Sequence, residues 1–176
     1  MKCPDNLGHF FCTPNNMDKL KEHEKFMKLA IQLSEENVLE KMGAPFGAVV
    51  VKDGKVIAKS ANMVIADNDP TAHAEVAVIR LACKKLKTFD LSGCIIYTSC
   101  EPCPMCLSAV YWARIDTIYY ANTKIDAADV GFSDKFIYDE IHKSMADRVL
   151  PFKQMMRDDA QKAFKLWNKS AEKTEY

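Results

Sequence analysis

With 176 residues, 48% hydrophobic and 27% charged, the chain has the size and composition of one soluble globular domain, which excludes disordered, fibrous and repeat proteins. Its 24 basic and 24 acidic residues cancel, so the electrostatic footprint of a nucleic-acid binder is missing and a small neutral ligand fits better. No apolar run approaches the roughly 20 residues of a membrane span, and no N-terminal apolar stretch ends in a small-residue cleavage site, which points to a cytoplasmic protein.

Residues 1–16 carry Pro, Gly and Asn without periodicity and read as an irregular N-terminal extension to a single domain over 17–176. From Met17, with Asn16 as cap, Leu20, Phe26, Leu29, Ala30 and Leu33 recur at helical spacing. After the breaker Gly43-Ala44-Pro45, the stretch GAVVVKDGKVIAKS sets two β-rich runs around Asp53-Gly54, a hairpin signal. Thr71 caps a second predicted helix with Val76, Ile79, Leu81 and Leu86 as its apolar positions. Residues 94–99 read as a buried strand, 103–113 as a helix behind Pro102 and Pro104, and 115–121 as a further strand. The tail from about Asp134 holds at least two more helical patterns, the last with Ala163, Phe164, Leu166 and Trp167. Strands alternating with helices after a hairpin imply an α/β fold, a three-layer α/β/α sandwich with a mixed central sheet.

Of the seven cysteines, Cys100, Cys103 and Cys106 crowd together, a distribution that suits metal or reduced thiols better than disulfides. His73-Ala74-Glu75 and Pro102-Cys103-Pro104-Met105-Cys106 together match the H-x-E and P-C-x-x-C pattern of zinc-dependent base deaminases. Two thiolates three apart at a helix start share a face, and the amides and dipole there favour their charge. Zn2+ prefers tetrahedral N and S ligands. Three protein ligands, His73, Cys103 and Cys106, leave a fourth position for water, whose pKa the metal lowers toward ~7. Glu75, two residues from the ligand His73, is the candidate catalytic proton shuttle. The alternative is a buried core histidine with cysteines packed as small hydrophobes. Cys100 also has two readings, a fourth ligand or a buried thiol at a strand end. Cys3, His9 and Cys12 have no supporting framework for a second metal cluster, and Cys83 and Cys94 read as core.

Over 43–176 the chain resembles bacterial guanine deaminases of the cytidine deaminase-like superfamily, through APFGAVVVKDG, NDPTAHAEV, YTSCEPCPMCLSAVYWAR and DAADVGFSDKFIY. The resemblance implies the cytidine deaminase-like fold and a substrate site of Phe46, Asn62, Ala74, Asp134 and Tyr176. Phe46 would stack on the flat base and Asn62 hydrogen-bond it. The Asp134 carboxylate would accept from N–H groups that guanine presents and adenine lacks, although helix capping is an alternative for Asp134 and a loose chain end for Tyr176. It further implies a homodimer in which the C-terminal tail crosses to the neighbour. Tyr111 and Trp112 then have two readings, interface or ordinary core.

The implied reaction is guanine to xanthine and ammonia, with water attacking C2 and Glu75 protonating N3. A tRNA adenosine deaminase would share the metal motifs but needs an RNA-binding surface, which the balanced charge argues against. A guanosine or cytosine deaminase, or a zinc-binding interaction module without catalysis, are the remaining alternatives, and the retained Glu75 argues against the last.

Overall fold

A computed structural model describes residues 14–175 of the chain. The first helix, α1 (Pro14–Leu39), begins three residues ahead of the expected start, so Pro14 to Asn16 belong to it and not to an irregular extension. Proline is at home in a first helical turn, where its missing N–H is not needed, which is why helix begins there and not behind an Asn16 cap. Residues 1–13, including Cys3, His9 and Cys12, lie outside the described residues.

The expected hairpin follows, β1 (Gly47–Lys52) and β2 (Lys55–Ala61), paired antiparallel from Lys52 opposite Lys55. Its two-residue turn needs positive φ at both positions, and Asp53 (φ 49°) and Gly54 (φ 70°) supply them. A one-turn helix α2 (Val64–Asp67) precedes α3 (Ala74–Leu86), and β3 (Cys94–Cys100), α4 (Pro104–Trp112) and β4 (Thr117–Asn122) complete the sheet region. The sheet order is β2-β1-β3-β4, with β1 antiparallel to both neighbours and β3 parallel to β4. It is a mixed sheet, and helices cover both faces.

Alternation along β1 and β3 divides two packed layers. Val49, Val51 and Tyr97 meet Phe26 and Ala30 of α1, while Ala48, Val50 and Ile96 meet Val78, Ile79 and Ala82 of α3 and Val110 of α4. Both faces of β1 are buried, so it reads as a continuous apolar run. Each enclosed Val or Ile contributes about 1.5–3 kcal/mol. α1 lies against β1 only because residue 47 is glycine: a Cβ there would strike the Ala30 carbonyl and Leu33.

Thr71 does not cap α3. Its N–H and hydroxyl both donate to Asp69 Oδ1 at 2.7 Å, and His73, in an extended conformation, takes the N-cap position. Leu81, expected on the core face, is exposed, because the buried stripe of α3 runs through Ala74, Val78, Ile79 and Ala82.

Past β4 the chain forms α5 (Lys124–Asp129), α6 (Lys135–His142) and α7 (Arg157–Lys169), and none of these helices has a buried residue. No helix among the described residues is long and apolar enough to cross a membrane.

Candidate active site

Two helix starts converge at one end of the sheet. His73 is the N-cap residue of α3 and Cys103 that of α4, both extended (ψ 154° and 168°), and neither side chain caps its own helix. Freed from capping, the two side chains meet: His73 Nδ1 lies 3.6 Å from Cys103 Sγ. Cys106, buried one turn into α4, completes a group whose ligand atoms all lie within 4.8 Å of one another. Tetrahedral coordination with Zn–S near 2.3 Å and Zn–N near 2.0 Å separates ligand atoms by about 3.5 Å, so the trio fits one zinc ion. Cys100 stands apart from this group. It is buried, and its thiol donates to the Thr123 carbonyl at 3.5 Å.

Glu75 sits in the first turn of α3, 5% exposed, with each oxygen engaged. Oε1 accepts from the Thr98 hydroxyl at 3.0 Å and Oε2 from the Cys106 thiol at 3.4 Å. Burial raises the Glu75 pKa above the usual carboxylate range. The two cysteines divide their protons unequally. The contact with the Cys106 side chain, with help from His73, holds the Cys103 thiol down at about 4, and the same contact together with burial pushes Cys106 up. The bond to the Cys103 sulfur in turn raises His73. The contacts of the site thus favour one thiolate, the form in which cysteine binds a metal.

A cleft of about 810 Å³ opens onto His73, Glu75 and Cys103. That lies within the roughly 300–1,000 Å³ of small-molecule sites.

Residues 20–122 match the family described as the cytidine and deoxycytidylate deaminase zinc-binding region. That region is more than half of the chain and ends where β4 ends. The chain belongs to this deaminase family. Guanine deaminase of Bacillus subtilis (strain 168) is 52% identical over 154 residues, which cover 88% of this chain and 99% of that protein. The X-ray structure of Bacillus subtilis guanine deaminase superposes with a TM-score of 0.85 at 52% identity, covering 88% of this chain and 98% of that one. A tRNA-specific adenosine deaminase from Agrobacterium fabrum (strain C58 / ATCC 33970) is 46% identical, over 99 residues that cover 56% of this chain and 64% of that protein. The metal of this deaminase is zinc, and the donor set His73, Cys103 and Cys106 suits it.

Beside the metal-ligand group, the deaminase brings Phe46, Asn62 and Asp134 onto the same cleft from three separate loops. Asn62, 3% exposed just past β2, accepts from the Val64 N–H through Oδ1 at 3.3 Å, while its backbone carbonyl accepts from Asn37 at 3.0 Å. Asn37 also reaches the Ala44 carbonyl at 2.8 Å, which ties the loop ahead of Phe46 to Asn62. Asp134 occupies the N-cap position of α6, yet its carboxylate makes no capping bond. Partial burial raises its pKa. Ala74 is enclosed at the first position of α3, behind the cleft wall, and Tyr176 lies outside the described residues.

Three neighbours lie within the motifs that carry the resemblance but have no role assigned by it. Phe132 meets Phe46 edge-on, ring centres 5.1 Å apart, across 86 residues of chain. Glu101 accepts from the Lys124 N–H at 3.1 Å, and Lys124 Nζ lies 4.9 Å over the Tyr138 ring, so the metal loop is linked to α5 and α6. Thr98, the third, holds Glu75. Tyr111 and Trp112 lie on the exposed side of α4 and not in the core.

Proposed function

We propose that this deaminase converts guanine and water to xanthine and ammonia, with Glu75 moving the protons and Asp134 selecting the base. The observation that carries the choice of base is the extent of the likeness to guanine deaminase. A match over 154 residues must run past Asn122 into the tail that presents Asp134 and Phe132, whereas the 99-residue match to the tRNA enzyme is no longer than the zinc-binding region.

His73, Cys103 and Cys106 would hold the zinc, which when bound acidifies water so that it is nucleophilic at neutral pH. Cys106 as a thiolate ligand has no proton to donate, which releases Glu75 Oε2. That oxygen takes a proton from the attacking water as its oxygen adds to C2, delivers it to N3, and serves again as the amino group leaves as ammonia. Phe46, with Phe132 at its edge, offers an aromatic wall to the base, and Asn62, whose Oδ1 already accepts from Val64, has its amide N–H groups to donate. The uncapped Asp134 carboxylate supplies an acceptor for the N–H edge that distinguishes guanine from adenine. Ammonia release from guanine by the purified enzyme tests the reading, and turnover of another base or nucleoside with guanine left untouched would overturn it.

The same reading makes the enzyme a homodimer with exchanged tails. The helices beyond β4 bury no residue, yet Phe164, Leu166 and Trp167 line α7 and Tyr111 and Trp112 stand out from α4. Apolar surface on this scale marks an interface in a soluble protein. In this arrangement Tyr176 of a neighbouring tail would close the cleft. Light scattering decides it, since a fully active monomer is incompatible. The five free cysteines among the described residues suit a reducing cytoplasm.

A further inference from the structure

The proton shuttle is held by a group outside the metal motifs. Thr98 lies on β3, opposite Ala48 of β1 and on the sheet face that packs against α3. It is completely enclosed, and its hydroxyl donates to Glu75 Oε1 at 3.0 Å. A threonine hydroxyl has one proton, and among the described residues Glu75 is the acceptor it meets. Glu75 comes from the first turn of a helix and Thr98 from a buried strand paired on both sides, so this bond ties the carboxylate to the interior of the sheet.

We infer that Thr98 is a positioning residue for the deamination, holding Oε1 as a permanent acceptor so that Oε2 alone carries the migrating proton. The argument is geometric. The two carboxylate oxygens are chemically equal in water, and an unrestrained side chain could take up a proton on either. Here the Thr98 O–H already points at Oε1, so a proton added there would compete with it in an enclosed space with no second acceptor for the hydroxyl. Oε2 faces Cys106 of the metal-ligand group and so lies on the side where the reaction takes place. Through the cycle the Thr98 proton stays on Oγ1, one water proton passes by way of Oε2 to N3, the second passes by way of Oε2 from the new C2 hydroxyl to the departing amino group, and guanine and water become xanthine and ammonia with nothing left over. Holding the carboxylate this way also keeps its plane from turning as it gains and loses the proton, and shifts of about 1 Å at such a group cost rates on the order of 100-fold.

The inference rests on Glu75 as the proton shuttle, and the test separates the two. Thr98→Val keeps the shape and the strand preference and removes only the hydroxyl. The expected result for the zinc-loaded enzyme is a fall in kcat of roughly 10- to 100-fold with KM changed by about twofold or less, because ground-state binding does not use this bond. Zinc content and melting temperature should match the parent, and Thr98→Ser should recover most of the rate. A Thr98→Val enzyme with parental kcat overturns the inference. So does a rate loss that follows zinc loss or a lowered melting temperature and that Thr98→Ser does not repair, since that is a packing role. Glu75→Ala, run alongside, tests the underlying reading: if it keeps full turnover, the shuttle assignment itself fails, whatever Thr98→Val does. A crystal structure of Thr98→Val adds a readout independent of rate, with the Glu75 carboxylate expected to be rotated or disordered and an unmoved carboxylate counting against the inference.

Discussion

Ile96 and Val50 are wholly enclosed between the sheet and α3, whereas Phe164 in α7 is 66% exposed and Leu150 ahead of it 70%, although all four are apolar residues of the same chain. The family match ends at Asn122, and the last buried residue of the chain, among those described, is Ala113. Up to Asn122 the chain packs on itself: α1 covers one face of β1 and β3, α3 and α4 cover the other, and α3 and α4 carry His73, Glu75, Cys103 and Cys106 at their N-terminal ends. Beyond it the chain supplies Asp134 and Phe132 to the cleft but leaves its own apolar faces without cover. The metal-ligand group is thus anchored in the part that is packed, and on the proposed reading the choice of base falls to the part that is not. A rigid site for proton transfer requires enclosure, while a recognition element can be added, exchanged or altered without unfolding the scaffold.

The largest effects should come from the metal ligands. His73→Ala or Cys106→Ala is expected to lower bound zinc well below one per chain and to bring guanine turnover to background, read by metal analysis and ammonia release. Glu75→Ala should keep its zinc and still lose roughly 10²- to 10⁴-fold in kcat, the range for a general acid–base group. Full zinc in His73→Ala would undo the assignment of the packed part as the metal centre.

Stability should divide at the same place. Ile96→Ala opens a cavity where the surroundings are close-packed and should cost about 2–5 kcal/mol of unfolding free energy in denaturant titrations. Trp167→Ala should change the folding of a dilute chain by no more than about 0.5 kcal/mol, the range for a solvent-facing site, while weakening self-association at micromolar concentration. Equal destabilisation by the two would mean that the tail folds as part of the core, and the contrast between the two parts would be lost.

The proposed role of Asp134 puts selectivity in the tail. Asp134→Ala removes a charged acceptor worth about 1.5–3 kcal/mol, so kcat/KM for guanine should fall about 10- to 100-fold, with zinc content and melting temperature unchanged. If zinc is lost with it, Asp134 acts on the metal centre and not on the base.

How much of this could be read from the residues alone follows from how far each interaction reaches. The hairpin turn at Asp53-Gly54 is local, and so is the cysteine spacing at a helix start, and both are legible. Caps are local too, yet Thr71 misleads, because the helix begins at Ala74 and its N-cap position falls on His73, while Thr71 turns back to Asp69. At α5 the signal was present and unused: Thr123 and Asp126 form a reciprocal capping box, the S/T-x-x-E pattern in its aspartate form. Leu81 shows that apolar character at helical spacing does not say which stripe is inside. Thr98 beside Glu75, and Phe132 against Phe46, depend on strand register and on how the tail folds back. No spacing in the chain encodes either.

The smallest effect tests whether the packed part is held by its core or by its surface. Asp90, in the turn ahead of β3, accepts from the Ser92 hydroxyl and N–H at 2.5 and 2.8 Å and from Arg114 at 3.0 Å. The Ser92 bonds first, and Arg114 after them, hold its carboxyl down from 3.8 to about 2. A carboxyl lowered in the folded state stabilises it at every pH above the unfolded value of 3.8, and that contribution is lost as the pH falls from there through about 2. Asp90→Asn keeps an oxygen for Ser92 and removes only the charge opposite Arg114, a solvent-exposed pair that salt screens. The variant should therefore be slightly less stable than the parent at neutral pH, less so in high salt, and indistinguishable from it once the pH is below about 2. Denaturant titrations across that range decide the matter. A gap that widens toward acid reverses the sign of the linkage, and a gap at neutral pH as large as that of Ile96→Ala would place the stability of this part in its surface turns.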